Sequence, residues 1–287
     1  MITQEACAKI NLSLDVTGKR ANGYHDVRMI MQSIDLHDTL IFEKIDDGIE
    51  LTTDNEELNK ESDGGKDNLI VKAYKAIKDY TGFKGGVRIK LIKRIPIAAG
   101  MAGGSTDAAA ALRGINQLYD LGLSTKQLEE IGVKFGADIP FCVEGGTKLS
   151  EGIGEILTKI PTPGHTLLVI CKPNVNVSTK EVYEKLDGMP EVKHPDVDAA
   201  LNAIAVKDNE LLATCMGNVL EDVTCLLLPI INDIKADMIR GGAEVSMMSG
   251  SGPTVFGIVK DEKTQNKLVN LLKTKYPDAY VGGHFYG

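Results

Sequence analysis

Between Pro96 and Leu112 the chain reads P-I-A-A-G-M-A-G-G-S-T-D-A-A-A-A-L, and its residue types suit it to hold an anion. Gly100, Gly103 and Gly104 loosen the backbone, Ser105-Thr106-Asp107 offers N-cap chemistry, and Ala108 to Ala111 begins a helix. A loop of bare amides delivered to a helix N-terminus favours phosphate, through unsatisfied N–H groups and the positive end of the dipole. The Ser and Thr hydroxyls can donate to phosphate oxygens or meet a bound Mg²⁺. No Lys follows the glycines as in a Walker A loop, and the G-x-G-x-x-G spacing of a dinucleotide site is absent. Glycine-rich loops before helices also serve as plain packing devices, so this stretch does not decide the matter by itself.

Three further groups of residues have the right types for chemistry. Ala6 to Val16 alternates strictly, with Ala6, Ala8, Ile10, Leu12, Leu14 and Val16 on one face and Cys7, Lys9, Asn11, Ser13 and Asp15 on the other. Period two over this length predicts a strand. Lys9 and Asn11 then stand on one side, about 7 Å apart; a solvent face is the plainer reading. The loop G-K-R-A-N-G-Y-H-D follows, where Tyr24 and His25 can stack on and hydrogen-bond to a planar ring, or anchor the loop on the core. Asp138, in G-A-D-I-P-F, is an acid in an apolar turn: a perturbed carboxylate if buried, otherwise a capping or turn residue.

The elements that must position these residues mix strands and helices throughout. Strands are predicted over 27–34, 38–42, 49–53 and 87–92, with a polar loop over 54–66 and a helix over 68–80. After the glycine loop, Ala108, Leu112, Ile115 and Tyr119 recur at helical spacing. Ser124 and Gln127 form a capping box opening a helix through Phe135, stopped by Gly136. The Gly- and Pro-rich stretch 151–163 is the best boundary, giving domains over 1–158 and 159–287. Beyond it the pattern predicts a strand over 167–172 and a short helix opened by Ser178 with Glu181 and carrying Tyr183. Helices over 197–216 and 230–240 follow, then strands over 244–249 and 254–259 joined by S-G-S-G-P. A helix over 262–276 and a strand over 279–285 finish the chain.

Composition narrows the function classes. The sequence has 287 residues, 43% hydrophobic and 25% charged, as in an ordinary soluble protein large enough for two domains. No apolar run of about 18 residues exists to span a membrane, and neither a secretory signal nor a transit peptide is expected. Five scattered cysteines without C-x-x-C argue for reduced thiols and a cytoplasmic location. A net charge of −8 makes nucleic acid a poor partner. Local basic residues (Lys9, Lys19-Arg20 and the segment Arg88 to Arg94) still allow a phosphorylated small molecule, although most of them read as solvated surface.

Lys9 on the first strand, the glycine loop near residue 100 and M-S-G-S-G-P-T-V-F near residue 250 occur in an order and spacing that resembles the GHMP kinases. That family includes galactokinase, homoserine kinase, mevalonate kinase and phosphomevalonate kinase. A-K-I-N-L at 8–12, G-K-R-A-N-G-Y-H at 18–25, D-N-L-I at 67–70, G-A-D-I-P-F at 136–141 and E-G-I-G-E at 151–155 extend the similarity over nearly the whole chain. Met101-Ala102 stand where the family usually has Leu-Gly, and Thr106 where Ser is common. Ala102 therefore has to adopt the loop conformation despite its Cβ, which restricts positive φ.

The resemblance implies an α+β fold: a nucleotide-binding domain similar to ribosomal protein S5 domain 2, then a ferredoxin-like domain, with substrate in a cleft. It implies an ATP-dependent kinase. The finer motifs imply the 2-hydroxyl of a cytidine diphosphate-linked methylerythritol, an isoprenoid precursor of the non-mevalonate route, as acceptor. Lys9 and Asp138 match the family's catalytic pair. Pro96, Ala98, Gly100, Met101, Ala102, Gly103, Gly104, Ser105 and Thr106 match its ATP loop, and Asn68 a position near adenine. Asn11, on the same strand face as Lys9, is expected to orient the polyol hydroxyls; Tyr24, His25 and Tyr183 match cytosine-recognition positions. Mg²⁺ is implied with ATP, its protein ligands undetermined beyond a weak case for Ser105. A monomer or homodimer is expected. Another alcohol, such as homoserine or a mevalonate derivative, and a non-catalytic ligand-binding member are the alternatives.

Overall fold

The computed structural model describes residues 1–55, 58 and 68–287, so most of the expected 54–66 loop lies outside the described residues. In chain order the elements are β1 (Ile2–Lys19), β2 (His25–Ile45), β3 (Ile49–Thr53), α1 (Leu69–Thr81), β4 (Gly86–Ile92), α2 (Gly103–Leu118), α3 (Thr125–Gly132) and α4 (Ile139–Glu144). Then come β5 (Thr147–Glu151), β6 (Ile156–Lys159), β7 (Thr166–Lys172), α5 (Thr179–Leu186), α6 (Val197–Ala205), α7 (Asn209–Cys215) and β8 (Gly217–Asn218). The last are α8 (Glu221–Leu227), α9 (Ile230–Gly241), β9 (Val245–Met248), β10 (Val255–Val259), α10 (Glu262–Lys275) and β11 (Tyr280–Tyr286). They form two compact units: residues 1–8, 36–97 and 102–145, and residues 9–35, 98–101 and 146–287. Among the described residues no helix is long and apolar enough to cross a membrane.

The first unit is an α/β layer. Its part of β2 pairs antiparallel with β4, from Thr39 opposite Ile92 to Ile45 opposite Gly86, and β3 joins β4 in parallel. Helix α2 packs against α1 and α4. Ala108 to Ala111 are fully buried, so the helix sits close to its neighbours. Gly114 continues that surface: a Cβ there would lie 2.4 Å from the Phe42 ring.

A buried charge cluster fastens α2 to its sheet. Lys93 Nζ donates to Asp38 Oδ2, and to Asp107 Oδ2 at 2.8 Å. Asp38 Oδ1 also accepts from the amides of Arg94 and Ile95, fixing the exit from β4. Two carboxylates share one ammonium in a site closed to water, so one carboxyl holds its proton. Burial pushes Asp107 up to about 8 against the pull of Lys93, with Asp38 adding to the rise. Asp107 Oδ1 accordingly has no hydrogen-bond partner among the described residues.

The second unit carries a four-stranded antiparallel sheet in the order β11-β7-β10-β9. Taken with α9 and α10, the sequence β7-α9-β9-β10-α10-β11 is a βαββαβ arrangement in which strands one to four lie 4-1-3-2. That is the expected ferredoxin-like pattern, with α5 to α8 inserted after its first strand. Asp237 on α9 accepts from Tyr276 Oη at 2.6 Å and Lys275 Nζ at 2.5 Å, joining the two helices. In the same unit β5 pairs with β2 and β6, and the short β8 runs parallel to β1.

Several expectations need correction. The two strands predicted over 27–34 and 38–42 are one, β2, because Asp35 and His37 do not interrupt an otherwise strand-forming run. The helix after Ser124 keeps its capping box but ends at Gly132. Residues 139–144 are helical rather than a turn, Pro140 being tolerated in the first turn. The helix predicted over 197–216 breaks at Lys207, whose φ is +57°, and restarts with Asp208 capping Leu211. The odd face of β1 is not a solvent face: Lys9, Asn11 and Ser13 are at most 5% exposed.

The Asp107 titration can be checked. Its folded pKa of about 8 lies above the ordinary carboxyl value of 3.8, so its stabilising contribution is complete below pH ~4 and is lost as pH rises toward 8. Urea unfolding of wild type and Asp107→Asn should show wild type losing on the order of 1–3 kcal/mol relative to the variant between pH 5 and 8. A difference that does not change with pH would contradict the assignment.

Candidate active site

In the second unit, Lys9 stands at the meeting point of three segments. Its ammonium donates to Asn11 Oδ1 at 2.6 Å, along the same strand face, and to the Gly100 carbonyl at 3.1 Å. Its backbone amide donates to the Met101 carbonyl at 3.2 Å. Asn11 in turn turns its amide to Met29 Sδ at 3.2 Å. A buried ammonium needs acceptors, and those seen here fix both the Lys9 side chain and the loop that supplies one of them.

The turn at 249–252 closes on the same carbonyl. Ser249 Oγ donates to Gly100 O at 3.1 Å. A Cβ on Gly100 would stand 2.3 Å from Ser249 O, and Gly100 has a φ of +70°, so both space and backbone conformation require glycine. A Cβ on Gly250 would meet Gly100 O at 2.9 Å and Lys9 Nζ at 3.3 Å. Asn218 Nδ2 holds this turn by donating at 2.8 Å to both Met248 O and Gly250 O. Sequence reasoning missed Asn218: it lies on a two-residue strand, too short for any periodicity to report.

In the first unit the loop runs into α2. Ala102 takes φ +58°, so the backbone adopts the left-handed conformation despite the Cβ, and no side chain caps the helix. The expected N-cap role of Ser105-Thr106-Asp107 is thereby corrected, since all three lie inside the helix. The bond from Thr106 N to Ala102 O leaves the amides of Gly103, Gly104 and Ser105 without intrahelical acceptors. Such a bare N-terminus is electropositive and suited to phosphate oxygens. The Thr106 hydroxyl donates to Cys7 O at 2.7 Å and is buried, whereas Ser105 is part-exposed in the first turn.

Of the other expected residues in this unit, Pro96 is half-buried after β4, and Asn68 caps α1 by accepting from Ile70 N at 2.8 Å. Asp138 is half-buried and opens α4 without a side-chain capping bond. Ala98 belongs to the second unit, exposed and at φ +50°.

A second constellation in the second unit forms around His25. Its ring lies 4.8 Å from that of Tyr183 between centroids, tilted by 35°. His25 Nε2 is 2.7 Å from Asp187 Oδ1, and Lys19 Nζ donates to Asp187 Oδ2 at 2.6 Å. Hydrogen bonds from Lys19 and then His25 hold the Asp187 carboxyl below its usual value. Tyr24, by contrast, is 59% exposed. Sequence reasoning found His25 and Tyr183 but missed Asp187, although it stands one helical turn beyond Tyr183, where side chains share a face.

The local basic excess is largely answered by acids. Arg88 binds Glu43 and Glu50, Arg20 binds Asp26, and Lys93 lies in its buried cluster. Chemically, then, the chain presents an uncapped helix behind a glycine loop, a buried lysine on that loop's carbonyl, a part-buried aspartate and a His25–Tyr183 ring pair.

The family model "GHMP kinases N terminal domain" matches residues 68–146, and "GHMP kinases C terminal" matches residues 199–278. A 4-diphosphocytidyl-2-C-methyl-D-erythritol kinase of Acetivibrio thermocellus is 50% identical over 98% of both chains. One of Lachnospira eligens is 48% identical over 96% of this chain and 94% of its own. The crystal structure of a 4-(cytidine 5'-diphospho)-2C-methyl-D-erythritol kinase superposes with a TM-score of 0.83 at 30% identity, covering 100% of both chains. Matches to both halves of one family, and relatives about half identical along almost the entire length, establish that this chain belongs to the GHMP kinases.

Proposed function

We propose that the chain transfers the γ-phosphate of ATP to the 2-hydroxyl of 4-diphosphocytidyl-2-C-methyl-D-erythritol. The observation that carries this reading is the near-complete likeness to relatives bearing that activity in their names. The ring pair His25–Tyr183 favours it over homoserine or mevalonate derivatives, which have no nucleobase for those rings to hold. The reading divides the chain into an ATP-binding part, 1–158, and a substrate part, 159–287. It describes a cytoplasmic enzyme, monomer or homodimer, whose partner is a small molecule.

In this reading the triphosphate lies along Pro96, Ala98 and Gly100 to Thr106, held by backbone amides and the α2 dipole. The Ser105 hydroxyl faces phosphate or its counter-ion; Thr106 contributes by fixing the helix start to β1, its hydroxyl being engaged on Cys7. Asn68 lies toward adenine. Mg²⁺ comes with ATP and neutralises phosphate charge. Among the described residues no group of three or more His, Cys, Asp or Glu side chains is arranged to hold a metal, and Ser105 is the residue that would meet the ion. Asp138 accepts the proton of the attacking hydroxyl. Lys9 steadies charge on the transferring phosphoryl group, whose transition state is loose and charge-spread. Asn11 orients the polyol, and Tyr24, His25 and Tyr183 hold cytosine.

The test is label transfer from [γ-³²P]ATP with Mg²⁺ to the cytidyl substrate, homoserine and mevalonate offered separately, with Asp138→Asn alongside. Label should enter the cytidyl substrate alone, and the variant should lose about 10²–10⁴-fold in kcat, the range for a general base. Label on another alcohol would keep the family and discard the substrate; label on none would discard both. Gly100→Ala should lose at least about tenfold in kcat/KM and unfold at lower urea than wild type, because it forces a Cβ into the Ser249 carbonyl. Unchanged kinetics and urea midpoint would contradict that packing.

A further inference from the structure

The His25 imidazole has a geometry that goes beyond stacking. Its Nε2 faces Asp187 Oδ1 at 2.7 Å, and the second carboxylate oxygen is occupied by Lys19 at 2.6 Å. Asp187 is the C-cap of α5, where the negative end of the helix dipole disfavours a carboxylate. Its place there makes sense through the two cations or donors it binds. The bonds from Lys19 and His25 also keep it ionised. An ionised carboxylate only accepts, so the Nε2 that faces it carries the hydrogen. In a neutral imidazole the proton is then spent on Nε2, and Nδ1 is left as an acceptor.

We infer that Asp187, backed by Lys19, is a specificity-determining positioning residue that locks His25 with an acceptor nitrogen turned toward the nucleobase. The inference rests on the proposed cytidyl substrate and names what selects it. Cytosine presents an exocyclic amine, a donor, where uracil presents a carbonyl oxygen, an acceptor. An acceptor at Nδ1 pairs with the first and opposes the second. A site built to receive a hydrogen bond rejects the analogue that cannot supply it far more strongly than shape does. Tyr183 restrains the ring from its face, one helical turn from the carboxylate that sets its edge.

The experiment compares kcat and KM for the cytidyl substrate and its uridyl counterpart in wild type, Asp187→Ala and Asp187→Glu. A parallel ¹⁵N NMR measurement reads the His25 tautomer in wild type and Asp187→Ala. Wild type should prefer the cytidyl substrate by about 100-fold or more. Asp187→Ala should lose at least about tenfold of that preference, through KM for the cytidyl substrate, with kcat at saturation within about threefold. Asp187→Glu should restore part of it, and NMR should show a protonated Nε2 in wild type with mixed tautomers in Asp187→Ala. Full preference retained in Asp187→Ala, or a protonated Nδ1 in wild type, overturns the inference while leaving the substrate intact. Wild type that phosphorylates neither compound overturns the substrate reading, and this inference with it.

Discussion

One backbone carbonyl organises the packing around Lys9. Gly100 O takes the Lys9 ammonium and the Ser249 hydroxyl, each at 3.1 Å. Burying an ammonium is costly unless acceptors meet it, so the loop is bound to a shape that presents this oxygen. That shape needs positive φ at residue 100 and no side chain there. The turn 249–252 then fits over the space a Cβ would fill, and Asn218 holds that turn from β8. Lysine, glycine loop and second glycine turn constrain one another, so their presence together in the sequence is a single requirement rather than three.

A comparable economy governs the helix that follows. Lys93 between Asp38 and Asp107 fastens α2 from beneath, and Thr106 ties its first turn to β1. The helix start can therefore remain uncapped, its amides available to a ligand, without fraying. Capping the helix with its own side chains would consume amides that are otherwise open to an anion. The positive φ at Ala102 serves the same end, since strain is tolerated where the surroundings hold it.

Much of this was legible in the sequence because it rests on short-range patterns. Period two exposed β1, the Ser124–Gln127 box exposed α3, and the glycine spacing marked the loop. The burial of β1's polar face was not legible, because alternation tells which residues share a face but not what covers it. Lys93 read as one of several surface charges; its partners Asp38 and Asp107 are remote in sequence, and a long-range ion pair leaves no periodic trace. Asp187 and Asn218 were missed for a related reason, since their roles are set by segments far away in the chain. The end of α3 was also misplaced, at Gly136 rather than Gly132, because the sequence offers a glycine at both positions.

On the proposed reading, Lys9 is held on the Gly100 carbonyl to serve the transferring phosphoryl group rather than to build the core. Lys9→Met, similar in length and apolar, tests it most directly when single-turnover rates are measured beside ATP affinity and the urea midpoint. The rate at saturating ATP should fall by about 10²–10³-fold, the range for removing one stabilising donor, beyond any loss of ATP affinity and unfolding midpoint that follows from leaving the Gly100 carbonyl without the ammonium. A variant that reacts at the wild-type rate, or one whose loss is wholly explained by weaker ATP binding or unfolding, would contradict it.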